Sequence, residues 1–527
     1  MSNERKLTVC DSETDPFLFG RMPEPFLWGW YDGENYEQFA DTGEFVRYVR
    51  DVPQVCYCHN GGKFDFFFLA DWIDHLQPIT IINGRLTKFK IGECEFRDSW
   101  NILPLALRKF GEKKEIEYWK LERSVRAEHM REIEEYLYVD CFELYRAVRR
   151  YRDDYGNNLT VAGGAMKFWS KLTDTAPPKT VRSFYQEFSP YYYGGRVECL
   201  ARGIIEKPFT SYDINSAYPR AMLEPHAWET IYKAGEHIPA SQAELQRSFI
   251  TLRAESHGAL PWRAENGSLQ FPRDGAVREF HVTGWEFQAA RDTGTLVLDD
   301  VLAVYTFLHS IDFRPYVEHF FALKALAKET GDRLGYENAK LHLNSLYGKF
   351  GANPDKYEEF ITAHPADVNV LAETRGYDLA DYFGPHAIMC RPISDGRKHF
   401  YNVATAASIT GFQRAQLWRA MCQCSNVLYV DTDNIKSERF GVADIGDAVG
   451  QWSLEHSCDY GAFAGKKLYA TRSTSGKWRV ASKGAKLTHD DIIEIARGGT
   501  IHYARDVPSF SIKSGTRFLA RDIKMTV

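Results

Sequence analysis

Along this chain the spacing of apolar and polar positions changes several times, and each change predicts an element. A polar start, MSNERKLTVC, passes into strand-like alternation. Strand-like runs continue through residues 7–150 and end in a helical, charge-rich stretch, Glu128 to Tyr151. Asp153, Asp154, Tyr155, Gly156, Asn157 and Asn158 then bring polar and turn-forming residues together, which predicts the first domain boundary. A second strand region starts near Phe209. From Phe313 to Phe350 the pattern is helical with breaks at Gly331-Asp332 and Gly335, so two antiparallel helices with a tight turn are expected. The stretch from Asn353 to about Arg397 is rich in Gly, Pro, Asp and Tyr and reads as a loop-rich insertion. Strand signals return at Val427 to Asp431. There is no internal repeat, and no apolar run reaches the roughly 18–20 residues of a membrane span.

Composition adds little to this picture, and charge adds more. With 527 residues, 44% hydrophobic and 14% aromatic, two or more domains with sizeable cores are expected. The closest cysteine pairs, Cys56/Cys58 and Cys422/Cys424, have C-x-C spacing, which is neither zinc-site spacing nor a disulfide framework. With no signal peptide, a reducing cytoplasm is the expected home. The net charge of −6 is unevenly spread: residues 461–527 hold 13 Lys/Arg against 5 Asp/Glu, and the other 460 hold 52 against 66. A basic end on an acidic body suits a protein that grips phosphates in one place and clusters carboxylates elsewhere, although a solvated basic surface accounts for the charge equally well.

Three segments, in order, carry candidate chemistry. In SYDINSAYPRAM, Asp213 would end a strand where the chain turns into a helix, a place for a metal-holding carboxylate beside a triphosphate. Tyr218 follows at a distance that lets its ring lie under the incoming sugar, where it would clash with a 2′-hydroxyl. Taken alone, the segment reads as well as a strand-ending Asp before a helix cap. In KLHLNSLYGKFG, Lys340, Asn344 and Tyr347 share one helical face, and Gly348 allows close approach of a template. In VLYVDTDNIKS, Asp431 and Asp433 alternate by two and would project from one strand face beside Tyr429. Two co-facing carboxylates repel unless a cation or hydrogen bonds offset them. With Asp213 they compose a two-metal site for phosphoryl transfer.

A second set lies near the N-terminus. Asp11 and Glu13 in VCDSETD alternate on a predicted strand; Asp65 follows in HNGGKFDF, and Asp140 in YLYVD at the end of a helical run. Four carboxylates of this kind bind two metals for phosphodiester hydrolysis, and Tyr136, one turn before Asp140, would orient the attacking water.

The first three segments resemble motifs A, B and C of family B DNA polymerases. NSLYGKF, HNGGKFDF, RDSWNILP, ASITG, AGKKLYA and ASKGA are similar to the protein-primed branch of small linear-genome phages, most of all to the tectivirus-type enzymes. The resemblance spans nearly the whole chain. It implies an α/β (α+β) multidomain fold: an RNase H-like exonuclease domain over 1–155, then a right-hand polymerase domain over 156–527. Within the latter, the palm would cover 190–225, 301–312 and 401–455, insertion one 223–301, fingers 313–350, insertion two 351–398 and the thumb 456–527. Asp213 and Asp433 would be metal ligands and Asp431 the third acidic group; Tyr218 would exclude ribonucleotides, and Lys328 and Lys340 would contact the triphosphate. Lys467 and Tyr469 resemble the KxY motif that holds the primer terminus, Arg414 a DNA-binding arginine, and Tyr192, Gly194 and Gly195 the YxGG motif that links the domains. Asp11, Glu13, Asp65 and Asp140 would hold the exonuclease metals, with Thr14, Asn60, Phe64 and Ser99 as ligands of a frayed strand and Lys113 assisting. Asn434 departs from the usual serine after DTD, and Gln413 from the Gly or Ala before the arginine.

The resemblance further implies two Mg2+ per site, with Mn2+ as substitute, and DNA template, primer strand and dNTPs as partners. The gaps of 127 residues from Asp213 to Lys340 and 87 from Asn344 to Asp431 leave room for two insertions, one docking a terminal protein whose hydroxyl primes synthesis, the other enclosing template and product. A monomer, or a heterodimer with the terminal protein, is expected in the cytoplasm of a bacterial host, away from membranes. The alternatives are a polymerase extending nucleic-acid primers in repair or plasmid copying, and a non-catalytic DNA-binding relic.

Overall fold

The structure, a computed structural model, describes residues 5–111, 115–177, 179–393, 401–511 and 516–525. Its N-terminal part is built on a mixed sheet whose strands Lys6–Thr14, Gln54–Cys58 and Cys94–Asp98 run parallel side by side, with Pro25–Tyr31 and Tyr36–Phe39 added antiparallel. Both faces are covered, so the strands read as nearly continuous apolar runs. Val9, Leu27, Val55 and Tyr57 pack with Leu137, Cys141 and Leu144 of the long helix Arg126–Tyr155. Cys10, Trp28, Cys56 and Cys58 turn the other way and pack with Phe45 and Val49 of the helix Thr42–Arg50. By the same alternation Asp11 and Glu13 share the Val9 face, toward the long helix.

The predicted boundary at 153–158 contains the end of that helix. Gly156 closes it with an N–H bond to the Arg152 carbonyl, and Thr160 caps the next helix, Val161–Thr173, by accepting from Gly163 N. A second sheet of eight strands carries Phe209–Ile214 between Trp452–Gly465 and Asn434–Arg439, followed by Ser425–Asp431 and Val197–Cys199. The helix Val403–Gln423, buried along nearly its whole length, packs with this sheet and with residues 313–350 in the largest core. A third, four-stranded sheet comes from His226–Gly235, Ser248–Glu255, Arg278–Thr283 and Val297–Ile311. Residue 301 lies within the last of these strands, and residue 456 within Trp452–Gly465.

Two antiparallel helices, Arg314–Glu329 and Arg333–Phe350, stand where the glycine breaks predicted them. Gly331 takes φ +71°, and Asp332 caps the second helix by accepting from Gly335 N at 3.0 Å. The same Asp332 accepts from Arg150 Nη1 at 2.7 Å, so the turn between the two helices rests on the end of the long N-terminal helix.

The expectation of a loop-rich piece after Asn353 is corrected. Glu358–Ala363, Asp378–Phe383 and His386–Pro392 form strands, and the first pairs with Pro78–Ile82 of the N-terminal part. Together they make one ten-stranded sheet. Turn-forming residues marked the connections correctly, but the short strands between them, paired with one another and at one edge with Pro78–Ile82, were hidden by that turn-rich composition.

Candidate active sites

Asp213 sits near the end of its strand, paired with Asn434 on one side and Ser453 on the other. Asp431 ends the strand Ser425–Asp431, one strand further along the sheet, but Asp433 does not continue it. Thr432 takes φ +61° and Asp433 N bonds back to the Asp431 carbonyl at 2.6 Å, so the two carboxylates come from a tight hairpin turn rather than from strand alternation. A β-branched residue in the left-handed region costs about 1–3 kcal/mol and persists only where its surroundings hold it.

Asp213 and Asp433 line two cavities at once. The first, about 720 Å3, faces the helix pair Arg314–Glu329 and Arg333–Phe350 and is also lined by Tyr218, Lys324, Lys328, Tyr336, Lys340 and Asn344. The second, about 450 Å3, is lined by Asp431, Glu455, Lys467, Tyr469 and Arg479 as well. Tyr347 stacks on Tyr218 with ring centroids 4.1 Å apart, closing the floor beside the first cavity. Lys467 Nζ donates to both oxygens of Asp431 at 2.8 Å, and its backbone N–H bonds the Tyr429 hydroxyl. Gly348 is exposed, and a Cβ placed there would meet no atom within 4 Å, so its face is open.

Burial, then Asp433, then Glu455 push the Asp213 carboxyl up to about 7. Burial and then Asp431 push Asp433 up to about 6. Such crowding of hard oxygen donors fits a divalent cation of the Mg2+ or Mn2+ kind.

The N-terminal carboxylates also converge. Asp11, Glu13, Thr14, Phe64, Tyr118, Tyr136 and Asp140 line a cleft of about 150 Å3. Asp140 lies in the middle of the helix Arg126–Tyr155, not at a helix end as expected, and is buried on its inner face. Asp65 stands on the short helical turn Asp65–Phe67 and accepts from Ser12 Oγ at 2.5 Å. Burial raises its carboxyl to about 6. Ligand atoms of Asp11, Asp65 and Cys58 lie within 4.8 Å of one another. The Tyr136 phenol is pushed above its usual range by burial and by Asp140.

Two comparisons fix the family. The family described as DNA polymerase type B, organellar and viral, matches residues 111–377. A DNA-directed DNA polymerase of Enterobacteria phage PRD1 is 34% identical over 99% of this chain and 98% of its own length. The chain belongs to the type B DNA polymerases. A DNA polymerase of Bacillus phage B103 is 22% identical, matching 67% of this polymerase and 69% of itself. The structure of phi29 DNA polymerase complexed with primer-template DNA and incoming nucleotide has a TM-score of 0.78 at 16% identity, covering 99% of this chain and 100% of that one. The multidomain α/β fold is therefore shared over its full length, and the resemblance to the protein-primed phage branch holds.

Several residues of the polymerase sit differently from expectation. Arg414 is 2% exposed; its guanidinium donates to Glu286 at 2.6 Å and to the carbonyls of Tyr193 and Gly194 at 2.6 and 2.9 Å. It orders the Tyr192–Gly195 segment from behind instead of offering itself to solvent. Ser99 is fully buried, donates to the Cys58 carbonyl and meets His59 Nδ1, and does not line the cleft. Asn60 takes φ +63° and its Oδ1 accepts from Arg85. Lys113 lies outside the described residues. Sequence reasoning missed Lys324 and Tyr336, each four residues before a lysine it did select, and helical spacing would have found both. Glu455 and Cys58 carried no comparable signal.

Proposed function

We propose that this DNA-directed DNA polymerase joins nucleotides at Asp213, Asp431 and Asp433 and removes them at Asp11, Glu13, Asp65 and Asp140. The observation that carries this reading is that Asp213 and Asp433 wall two cavities at once, one lined by Lys324, Lys328 and Lys340 and the other by Lys436, Lys467 and Arg479 together with Asp431 and Glu455. The first fits a triphosphate, with Lys324, Lys328 and Lys340 neutralising it and Asn344 beside them. Tyr218, braced by Tyr347, lies where a 2′-hydroxyl would intrude. The other cavity fits a primer terminus held by Lys467 and Tyr469. Divalent cations, two per site, would be held by these carboxylates and would supply the positive charge that activates the attacking oxygen and steadies the leaving one.

In the N-terminal cleft, Phe64 and Thr14 would seat a frayed 3′ end while Tyr136 aligns water for 3′→5′ hydrolysis; Asn60 and Ser99 support the cleft wall. The relative of the same fold solved with single-stranded DNA supports this use. Arg414 acts on DNA through the Tyr192–Gly195 segment. Residues 1–155 act as the editing domain, and 156–527 as palm, fingers, thumb and two insertions. The likeness to phage polymerases supports replication of a linear genome from a terminal-protein primer with strand displacement, in the host cytoplasm; no helix among the described residues is long and apolar enough to cross a membrane.

Asp213→Ala and Asp433→Ala are expected to abolish primer extension and leave degradation of single strands intact, and Asp65→Ala to do the reverse. Unchanged extension in either of the first two would refute the assignment. Incubating the protein with its cognate terminal protein, dNTPs and Mg2+ tests priming: the absence of a covalent protein–nucleotide adduct would reject it.

A further inference from the structure

The hairpin turn bearing Asp431 and Asp433 is held from behind by a residue that the resembling pattern does not contain. Gln413, 1% exposed on the helix Val403–Gln423, donates from Nε2 to the Thr432 carbonyl at 3.1 Å. That carbonyl and the Asp433 N–H are the two ends of one peptide plane, and the N–H end is fixed on the Asp431 carbonyl. The preceding peptide is fixed as well, since Thr432 N donates to the Arg196 carbonyl at 2.7 Å. Thr432 Oγ1 donates to Asp431 at 3.3 Å, and a Cβ at Gly195 would lie 2.5 Å from that hydroxyl. A carbonyl only accepts, so the Gln413 amide must present its nitrogen. Gly or Ala at 413 has no atom to make this bond.

The geometry points to Gln413 as a positioning residue of the polymerase site, one that sets the spacing of Asp431 and Asp433 by locking the peptide between Thr432 and Asp433. This rests on the reading of Asp213, Asp431 and Asp433 as the polymerising carboxylates. Losing the Gln413 bond frees one end of the peptide between Thr432 and Asp433, so the spacing of the two carboxylates loosens and their joint grip on a cation weakens.

The test uses the full-length protein with primer–template DNA. Gln413→Met keeps the length and removes the donor. Its kcat for incorporation is expected to fall roughly fivefold to tenfold, the scale of one hydrogen bond, with a higher Mg2+ half-saturation and an unchanged KM for dNTP. Degradation of single strands serves as the folding control and should not move. Gln413→Glu gives a second readout: its carboxyl can donate to the Thr432 carbonyl only when protonated, so extension relative to degradation should recover as pH falls, which the parent will not show. A Gln413→Met enzyme with parental kcat and Mg2+ requirement would overturn the proposal, as would a Gln413→Glu enzyme with the parental pH profile. If Asp433→Ala still extends primers, the site itself is wrong; if it does not and Gln413→Met is unaffected, only this inference fails.

Discussion

The two carboxylate sites of this polymerase solve the same electrostatic problem with different materials. The one at Asp213 and Asp433 is assembled from a strand end and a hairpin turn, opens into two large cavities and has Lys467 bonded to Asp431. The one at Asp11, Glu13, Asp65 and Asp140 is assembled from a strand, a helical turn and the middle of a long helix. Asp65 and Asp140 are each 3% exposed there, and no lysine or arginine lines the small cleft among the described residues. A site that must admit a triphosphate and a duplex end needs width and its own cations. On the proposed reading, a single frayed end would be served by a small cleft with aromatic walls.

This difference is open to attack from several sides. The largest effect is expected from Glu286→Gln, which leaves the buried Arg414 uncompensated beneath the first site. Stability should fall by about 3–5 kcal/mol in denaturant melts, with extension lost before degradation. Equal loss of both activities would mean the pair supports the whole molecule. Next, Lys467→Ala removes a half-exposed partner of Asp431; extension should drop about tenfold, or about 1.4 kcal/mol in the barrier, while degradation of single strands stays level.

The smallest effect is a shift in melting with pH. Asp213 has its carboxyl raised to about 7, so the folded chain takes up a proton before the unfolded chain does. In chelator, stability should therefore rise by about 1 kcal/mol as pH falls from 8 to 6.5, and saturating Mg2+ should remove that gain. Below pH 6.5 an opposing contribution sets in. His59, His226 and His342 are buried with values near 4, so the unfolded chain protonates them first and their contribution is lost as pH drops toward 4. A melting curve flat from pH 8 to 6.5 in chelator would contradict the crowding at Asp213.

Much of this was legible in the sequence. The two-residue alternation placed Asp11 and Glu13 on one strand face, and the glycine breaks placed the fingertip turn. Other features depend on contacts that spacing does not encode. Asp431 and Asp433 were read by the same alternation, yet Thr432 reverses the chain between them because Arg196, Gly195 and Gln413 hold it there. Ser99 and Arg414 matched motif positions, but burial gave both internal partners. The strand Glu358–Ala363 looked like loop because turn-forming residues surround it, and its pairing with Pro78–Ile82 joins segments that spacing does not relate.

That last pairing also governs how the protein behaves in a crowded solution. An open strand edge is a template on which other chains can add and aggregate. Here the inner strand Pro78–Ile82 would end the N-terminal sheet with such an edge, and Glu358–Ala363 occupies it. The enlarged sheet ends instead on the four-residue strand Tyr36–Phe39, which exposes Glu37, and on Asp378–Phe383, which exposes Asp378. Main-chain pairing that joins two distant parts of the polymerase thus moves the open edge from Pro78–Ile82 to Asp378–Phe383, where the charged Asp378 stands beside exposed Leu379 and Tyr382.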